Sequence, residues 1–150
     1  MDRISVEHRS WNMSRIRSSN TAPELIVRSL LHGLGYRFRL HAKKMPGRPD
    51  IVLKKYRTAI LVHGCYWHRH DGCSLAYTPK SRRDFWMAKF QQNVERDKRT
   101  QRALRLEGWR VIVVWECEIA HTERLRKRLV KLLSGLGRAS PRIKLRREQR

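Results

Sequence analysis

Between Pro46 and Cys73 the chain reads PGRPDIVLKKYRTAILVHGCYWHRHDGC, and this stretch limits the possible folds more than any other. Asp50 opens a short apolar run, Ile51 to Leu53, and a second run, Ala59 to Val62, ends at His63. The polar segment from Lys54 to Arg57 has the length of a turn, so the two runs predict a β-hairpin of residues 50–53 with 58–63. A loop follows with Cys65, Tyr66, Trp67, His68, His70 and Cys73. Few structural demands ask for a lone carboxylate, clustered histidines, two cysteines and adjacent aromatic rings together. The combination predicts a site for metal ions and phosphate chemistry, delivered by two short strands.

Each of these residues also has an ordinary explanation. An Asp after Pro commonly serves a turn, since Pro fixes φ and Asp caps it. A single His is commonly a surface or core residue, but His41, His63, His68 and His70 all lie in or near this segment, which is harder to explain that way. The spacing of Cys65, four residues, His70, two residues, Cys73 offers three zinc ligands on one loop, and tetrahedral zinc needs a fourth. The remaining cysteine, Cys117, lies just after the apolar run Val111 to Trp115, where a neighbouring strand could bring it to the loop. A closed structural zinc site of Cys65, His70, Cys73 and Cys117 is therefore expected.

The charge balance indicates what such a site would act on. With 35 Lys and Arg against 13 Asp and Glu, the chain carries a formal charge of +22 over 150 residues. Surfaces of that sign meet polyanions, nucleic acids or anionic membranes. The first twenty residues lack the apolar core of a signal peptide and the apolar runs are strand-sized, so a cytoplasmic, non-membrane protein is expected. An odd cysteine count in a reducing compartment favours metal ligation over disulfides.

Three regions are expected: a basic N-terminal arm at 1–20, one compact domain at 21–134 and a basic tail at 135–150. Thr21, Ala22, Pro23 and Glu24 read as a capping box opening a helix that Gly35 ends. Tyr36 to Leu40 reads as a first strand, ahead of the hairpin. A long helix is expected over about 81–107, stopped by Gly108, then a buried strand at 110–115 and a final helix at about 122–133. The order helix, three strands, helix, strand, helix predicts an α/β fold with a mixed sheet.

That order, with Pro49 and Asp50 opening the hairpin, is that of the restriction-endonuclease-like core. The strings PGRPD at 46–50, HGCYWHRH at 63–70, FW at 85–86, NVERD at 93–97 and GWRVIVVWEC at 108–117 resemble the very short patch repair endonucleases of bacteria. The likeness covers roughly residues 9–120. It implies an enzyme that nicks one DNA strand beside the thymine of a T·G mismatch left by deamination of 5-methylcytosine. Its partner would be mismatched duplex DNA, with mismatch-repair accessory proteins beside it, and it would act as a monomer at the bacterial nucleoid.

The same resemblance assigns roles. Asp50 would hold catalytic Mg²⁺ with the backbone carbonyl of Val62, as hard cations prefer oxygen ligands. His68 would orient or deprotonate the attacking water. His63 and Asp97 would complete the site, and Glu24 would pair with a histidine to fix its tautomer and charge. Tyr66, Trp67 and Trp86 would wedge into the base stack, where a mispair lowers the unstacking energy. Trp86 could equally be helix packing beside Phe85 and Phe90. Met13 and Ile16 would press on DNA from the arm. One extra residue, Asp71 or Gly72, separates the later zinc ligands relative to the family, which leaves His68 competing with His70 for the metal. Two other readings remain open: a restriction-type endonuclease of the same fold, and a zinc-containing DNA-binding protein that does not cut.

Overall fold

The computed structural model describes residues 21–134. The arm at 1–20, with Met13 and Ile16, and the tail at 135–150 lie outside the described residues. Helix α1 spans Ala22–Gly33. It opens where the Thr21 hydroxyl accepts a hydrogen bond from the Glu24 amide, with Pro23 in the first turn. Only this half of the expected capping box appears. The Glu24 carboxylate turns instead to Arg28 and His41, since charge-assisted bonds are stronger than one to an amide. The helix closes as Gly35, at φ +85, donates to His32 O and Tyr36 donates to Leu31 O.

Strand β1 is Arg39–Leu40, β2 is Ile51–Leu53 and β3 is Thr58–His63. The turn between β2 and β3 is a short 3₁₀ segment, Lys54–Tyr56, closed by Arg57 in a left-handed conformation. Helix α2 runs Arg83–Leu106, β4 is Arg110–Trp115, a 3₁₀ segment covers Glu116–His121, and helix α3 is Thr122–Ser134. Among the described residues the strands form one sheet in the order β1-β2-β3-β4, antiparallel at its first two junctions and parallel between β3 and β4. The hairpin and the mixed α/β sheet stand as expected.

Two elements differ from the sequence reading. The first strand was expected over 36–40, but only Arg39 and Leu40 pair, with Val52 and Ile51. Tyr36 and Phe38 pack their rings on the core without joining the ladder, because their side chains can be buried from an irregular backbone. The second is β4, where only Ile112 and Val114 are buried. One face meets the core and the other carries Val111, Val113 and Trp115, which are half-buried.

One side of the sheet holds the main core. Ile51, Leu53, Ile60, Ile112 and Val114 pack there against Val27 and Leu31 of α1 and Leu125, Leu129 and Leu133 of α3. The three leucines of α3 recur every four residues and are essentially fully buried, each contributing about 2 kcal/mol by burial. Alternation puts Val52, Ala59 and Leu61 on the opposite side, where Leu61 shares a cleft with Asp97 and Thr100 of α2. No described helix is long and apolar enough to cross a membrane.

Candidate active site and metal centre

Because β3 and β4 are parallel and paired to their last residues, His63 against Trp115, the segments leaving them emerge side by side. Cys65 and Cys117 therefore meet: the Cys117 amide donates to Cys65 Sγ at 3.4 Å. His70 Nδ1 lies 3.6 Å from Cys65 Sγ and 3.4 Å from Cys117 Sγ. With Cys73 the four ligand atoms fall within 4.8 Å of one another. In a tetrahedral zinc site a sulfur and a nitrogen ligand are about 3.5 Å apart, given bonds of about 2.3 and 2.0 Å, so both measured edges fit a metal at the centre. Burial, with the Cys117 thiol beside it, pushes the Cys65 thiol up to about 12; three cysteines this close ionise together only around a cation. The His70 ring lies flat on Trp115, centroids 4.2 Å apart, and the Cys65 amide donates to Glu116 Oε1. Of the two competing histidines, His70 is the one among the cysteines.

His68 is turned the other way. Its ring stacks on His63, and its Nδ1 lies 2.7 Å from Asp97 Oδ2. The ligating atoms of His63, His68 and Asp97 also fall within 4.8 Å of one another. His63 is buried, and its pKa falls to about 4 through burial and then the charge of His68, against the pull of Asp97. It is therefore neutral at physiological pH, held edge-on to Trp115 at 5.4 Å.

Asp50 precedes β2 and points to the same side of the sheet. Its Oδ2 accepts the Val62 amide at 2.8 Å. Burial raises its pKa; the Val62 bond opposes this, the nearby Glu24 charge adds to it, and His41 and His68 oppose it. Asp50, His63, His68 and Asp97 line one cleft of about 980 Å³, together with Val62, His41 and the cations Lys43, Arg48 and Arg96. Glu24 sits behind the cleft rather than on it, 2% exposed, and reaches it through His41 Nε2 at 2.6 Å. Burial alone would raise the Glu24 carboxyl, but hydrogen bonds and charge from Arg28 and His41 hold it below the usual carboxylate range.

The aromatic residues gather beside this cleft. Tyr66 contacts Trp67, Tyr77 and Phe90, with centroids 4.9, 4.9 and 5.2 Å away, and Trp67 lies 6.0 Å from Trp86. Tyr66, Trp67 and Trp86 are half-buried against buried Phe90, while Tyr77 remains exposed, and Trp86 also stacks on Phe90. The Trp67 carbonyl accepts from Asn93 of α2 at 3.1 Å. Arg69, at φ +54, donates to the carbonyls of Tyr66, Ala76 and Tyr77 and covers the Phe90 ring at 4.0 Å.

Sequence reasoning did not assign Arg28, Arg69 or Asn93, and it named His41 only as a nearby histidine. Arg28 had a local signal, its place one helical turn after Glu24. Nothing in the sequence marks Arg69 as the clasp of its loop.

Comparison with known proteins agrees with this arrangement. The family model described as DNA mismatch endonuclease Vsr matches residues 1–74. The type II nicking enzyme V.XorIIP of Xanthomonas oryzae pv. oryzae is 52% identical over 132 residues, covering 88% of this chain and 96% of that protein. The type II nicking enzyme V.NmeAIP of Neisseria meningitidis serogroup A is 42% identical over 132 residues, 88% of this chain and 94% of the relative. The DNA mismatch endonuclease Vsr of Escherichia coli is 46% identical over 117 residues, 78% of this chain and 74% of the relative. The chain belongs to the Vsr family of DNA mismatch endonucleases.

Proposed function

We propose that this endonuclease nicks one strand of duplex DNA beside the thymine of a T·G mismatch, using Mg²⁺ held by Asp50 and the Val62 carbonyl oxygen. The observation that carries the reading is the shared cleft, where Asp50 faces the His63, His68 and Asp97 cluster among cationic side chains. When bound there, Mg²⁺ would supply charge to the scissile phosphate and acidity to a bound water.

The chain's own groups have separable tasks. Asp97 accepts from Nδ1 of His68, which leaves Nε2 of a neutral ring with its lone pair free for the proton of an attacking water. His63, kept neutral by burial, adds no second positive charge to the ring stacked on it when His68 takes that proton. Lys43, Arg48 and Arg96 meet the phosphates flanking the cut. Tyr66, Trp67 and Trp86 would enter the base stack next to the mispair, where unstacking takes least energy. In this reading Zn²⁺ in the cluster of Cys65, His70, Cys73 and Cys117 is structural, and it holds the loop carrying His68, Tyr66 and Trp67 against the end of β4. Met13 and Ile16 of the arm add contacts to DNA, the core is restriction-endonuclease-like, and the protein acts in the bacterial cytoplasm.

A strand-nicking assay with Mg²⁺ on duplexes that differ only in one pair tests the proposal. Cutting of the T strand in T·G duplexes with intact T·A duplexes untouched is the expected result. Equal cutting of T·A would replace it with a restriction-type activity, and no cutting of any duplex would leave a binding protein.

A further inference from the structure

His41 bonds to two acidic residues of the site, Asp50 and Glu24. Its main-chain amide donates to the Asp50 carbonyl at 3.1 Å, and the next amide, Ala42, donates to Pro49 O at 3.3 Å, fastening the start of the loop at 41–50 to its end. Its side chain reaches the other way, with Nε2 2.6 Å from Glu24 Oε1. The backbone that allows both is left-handed, at φ +46, a conformation a non-glycine residue keeps only where surrounding contacts enforce it.

The hydrogen-bond roles follow from chemistry. Glu24 is buried and ionised, and a carboxylate only accepts, so Nε2 must carry the hydrogen. Arg28 Nη2 donates to the same oxygen at 2.7 Å. The 3.3 Å approach of Arg28 Nη2 to His41 Nε2 is then two donors converging on one acceptor. Oε1 is thus fixed by two donors from separate elements, Arg28 from α1 and His41 from the end of β1. The carboxylate is locked at the rear of the cleft that His41 itself helps to line.

We propose that His41 is a positioning residue for the nicking reaction, a bracket whose main chain holds Asp50 and whose imidazole holds Glu24, so that it sets the separation and orientation of the two carboxylates. The inference rests on the Mg²⁺-dependent nuclease reading of the same cleft. It assigns His41 no proton transfer and no contact with the reacting phosphate.

The test compares the full-length protein with His41→Ala and His41→Gln, whose amide nitrogen can still donate to Glu24. Four quantities are measured: single-turnover nicking of a T·G duplex, duplex affinity in EDTA, Mn²⁺ affinity by titration calorimetry, and melting temperature. His41→Ala should nick at least tenfold more slowly and bind Mn²⁺ several-fold more weakly, with duplex affinity and melting temperature within error of the parent. His41→Gln should recover most of both losses. Unchanged nicking in His41→Ala overturns the proposal, and so does a loss that parallels melting temperature and is not rescued by Gln, because that is a merely structural role. If the parent protein nicks nothing and binds no Mn²⁺, the nuclease reading itself falls, an outcome distinct from either.

Discussion

His63 and His68 lie face to face, ring centroids 3.9 Å apart and planes 6° from parallel, yet only His68 has an acid within hydrogen-bond distance, Asp97. Two imidazoles so close do not both carry charge readily, and burial decides which yields. His63 drops to about 4 from an ordinary 6.5. Between those values the unfolded chain binds a proton at this position and the native protein does not, so native stability falls as pH is lowered through the window. Above pH 6.5 the effect is absent. Chemical denaturation from pH 7 to 4 should show the parent losing on the order of 2 to 3 kcal/mol more than His63→Asn. Parallel curves for the two proteins would mean that His63 titrates normally.

Asp97→Asn keeps the shape of the α2 side chain but turns the partner of His68 Nδ1 from a pure acceptor into a group that can also donate. The imidazole loses the pure acceptor that fixes its tautomer. Single-turnover nicking should fall about a hundredfold, within the range for general-base contributions, while duplex binding in EDTA stays level. His68→Ala in the same background should add little, since the two act as a unit.

Asp50→Asn should lower the nicking rate by about a thousandfold, several kcal/mol of metal-borne transition-state stabilisation at about 1.4 kcal/mol per tenfold. The Val62 amide can still donate to the Asn carbonyl oxygen, so folding should be preserved and thermal denaturation should match the parent. A variant that nicks normally would remove this carboxylate from the chemistry.

The cluster of Cys65, His70, Cys73 and Cys117 joins residues as far as 52 apart in sequence, through contacts such as the Cys117 amide on Cys65 Sγ. Elemental analysis should give one zinc per chain. Cys117→Ser should lose the metal and destabilise the fold strongly, as structural zinc contributes on the order of 10 kcal/mol of apparent folding energy. His68→Ala should keep the full zinc content, because that ring lies with Asp97.

Gly47 sits at φ +67, and a Cβ placed on it would run into Cγ2 of Thr100 on α2. Gly47→Ala should therefore lower stability by about 2 to 4 kcal/mol, combining overpacking with left-handed strain. Adding Thr100→Ala should return the overpacking part and leave about 1 kcal/mol of backbone strain. Full recovery in the double variant would mean the backbone there accepts a side chain freely.

What the sequence made legible was local or strictly periodic. The hairpin followed from two apolar runs around a polar turn, and α2 from its length and the stop at Gly108. The grouping of Cys65, His70, Cys73 and Cys117 followed from three cysteines and a histidine with few other ways to be used together. The bond from His41 to Glu24 was hidden because it crosses 17 positions and depends on a left-handed backbone that no residue type there signals. The shortness of β1 was hidden for a different reason: Tyr36 and Phe38 alternate as strand aromatics do, and their packing on the core does not require a ladder. Tyr66 and Trp67 looked like freely presented rings on a loop, but Trp86, Phe90 and Tyr77 arrive from elsewhere in the chain to pack with them.

Helix α2 works as a ruler. Phe90 near its start is seated in the apolar interior and Leu104 near its end is fully enclosed, so its rotation is pinned at both ends, with Asp97 between. One residue inserted or deleted between Phe90 and Asp97 would swing that carboxylate about 100° around the axis, away from His68. The exposed turn of Asp71 and Gly72, between His70 and Cys73, has no helical phase to keep. Descendants of this chain can therefore vary by a residue in that turn more readily than within the helix.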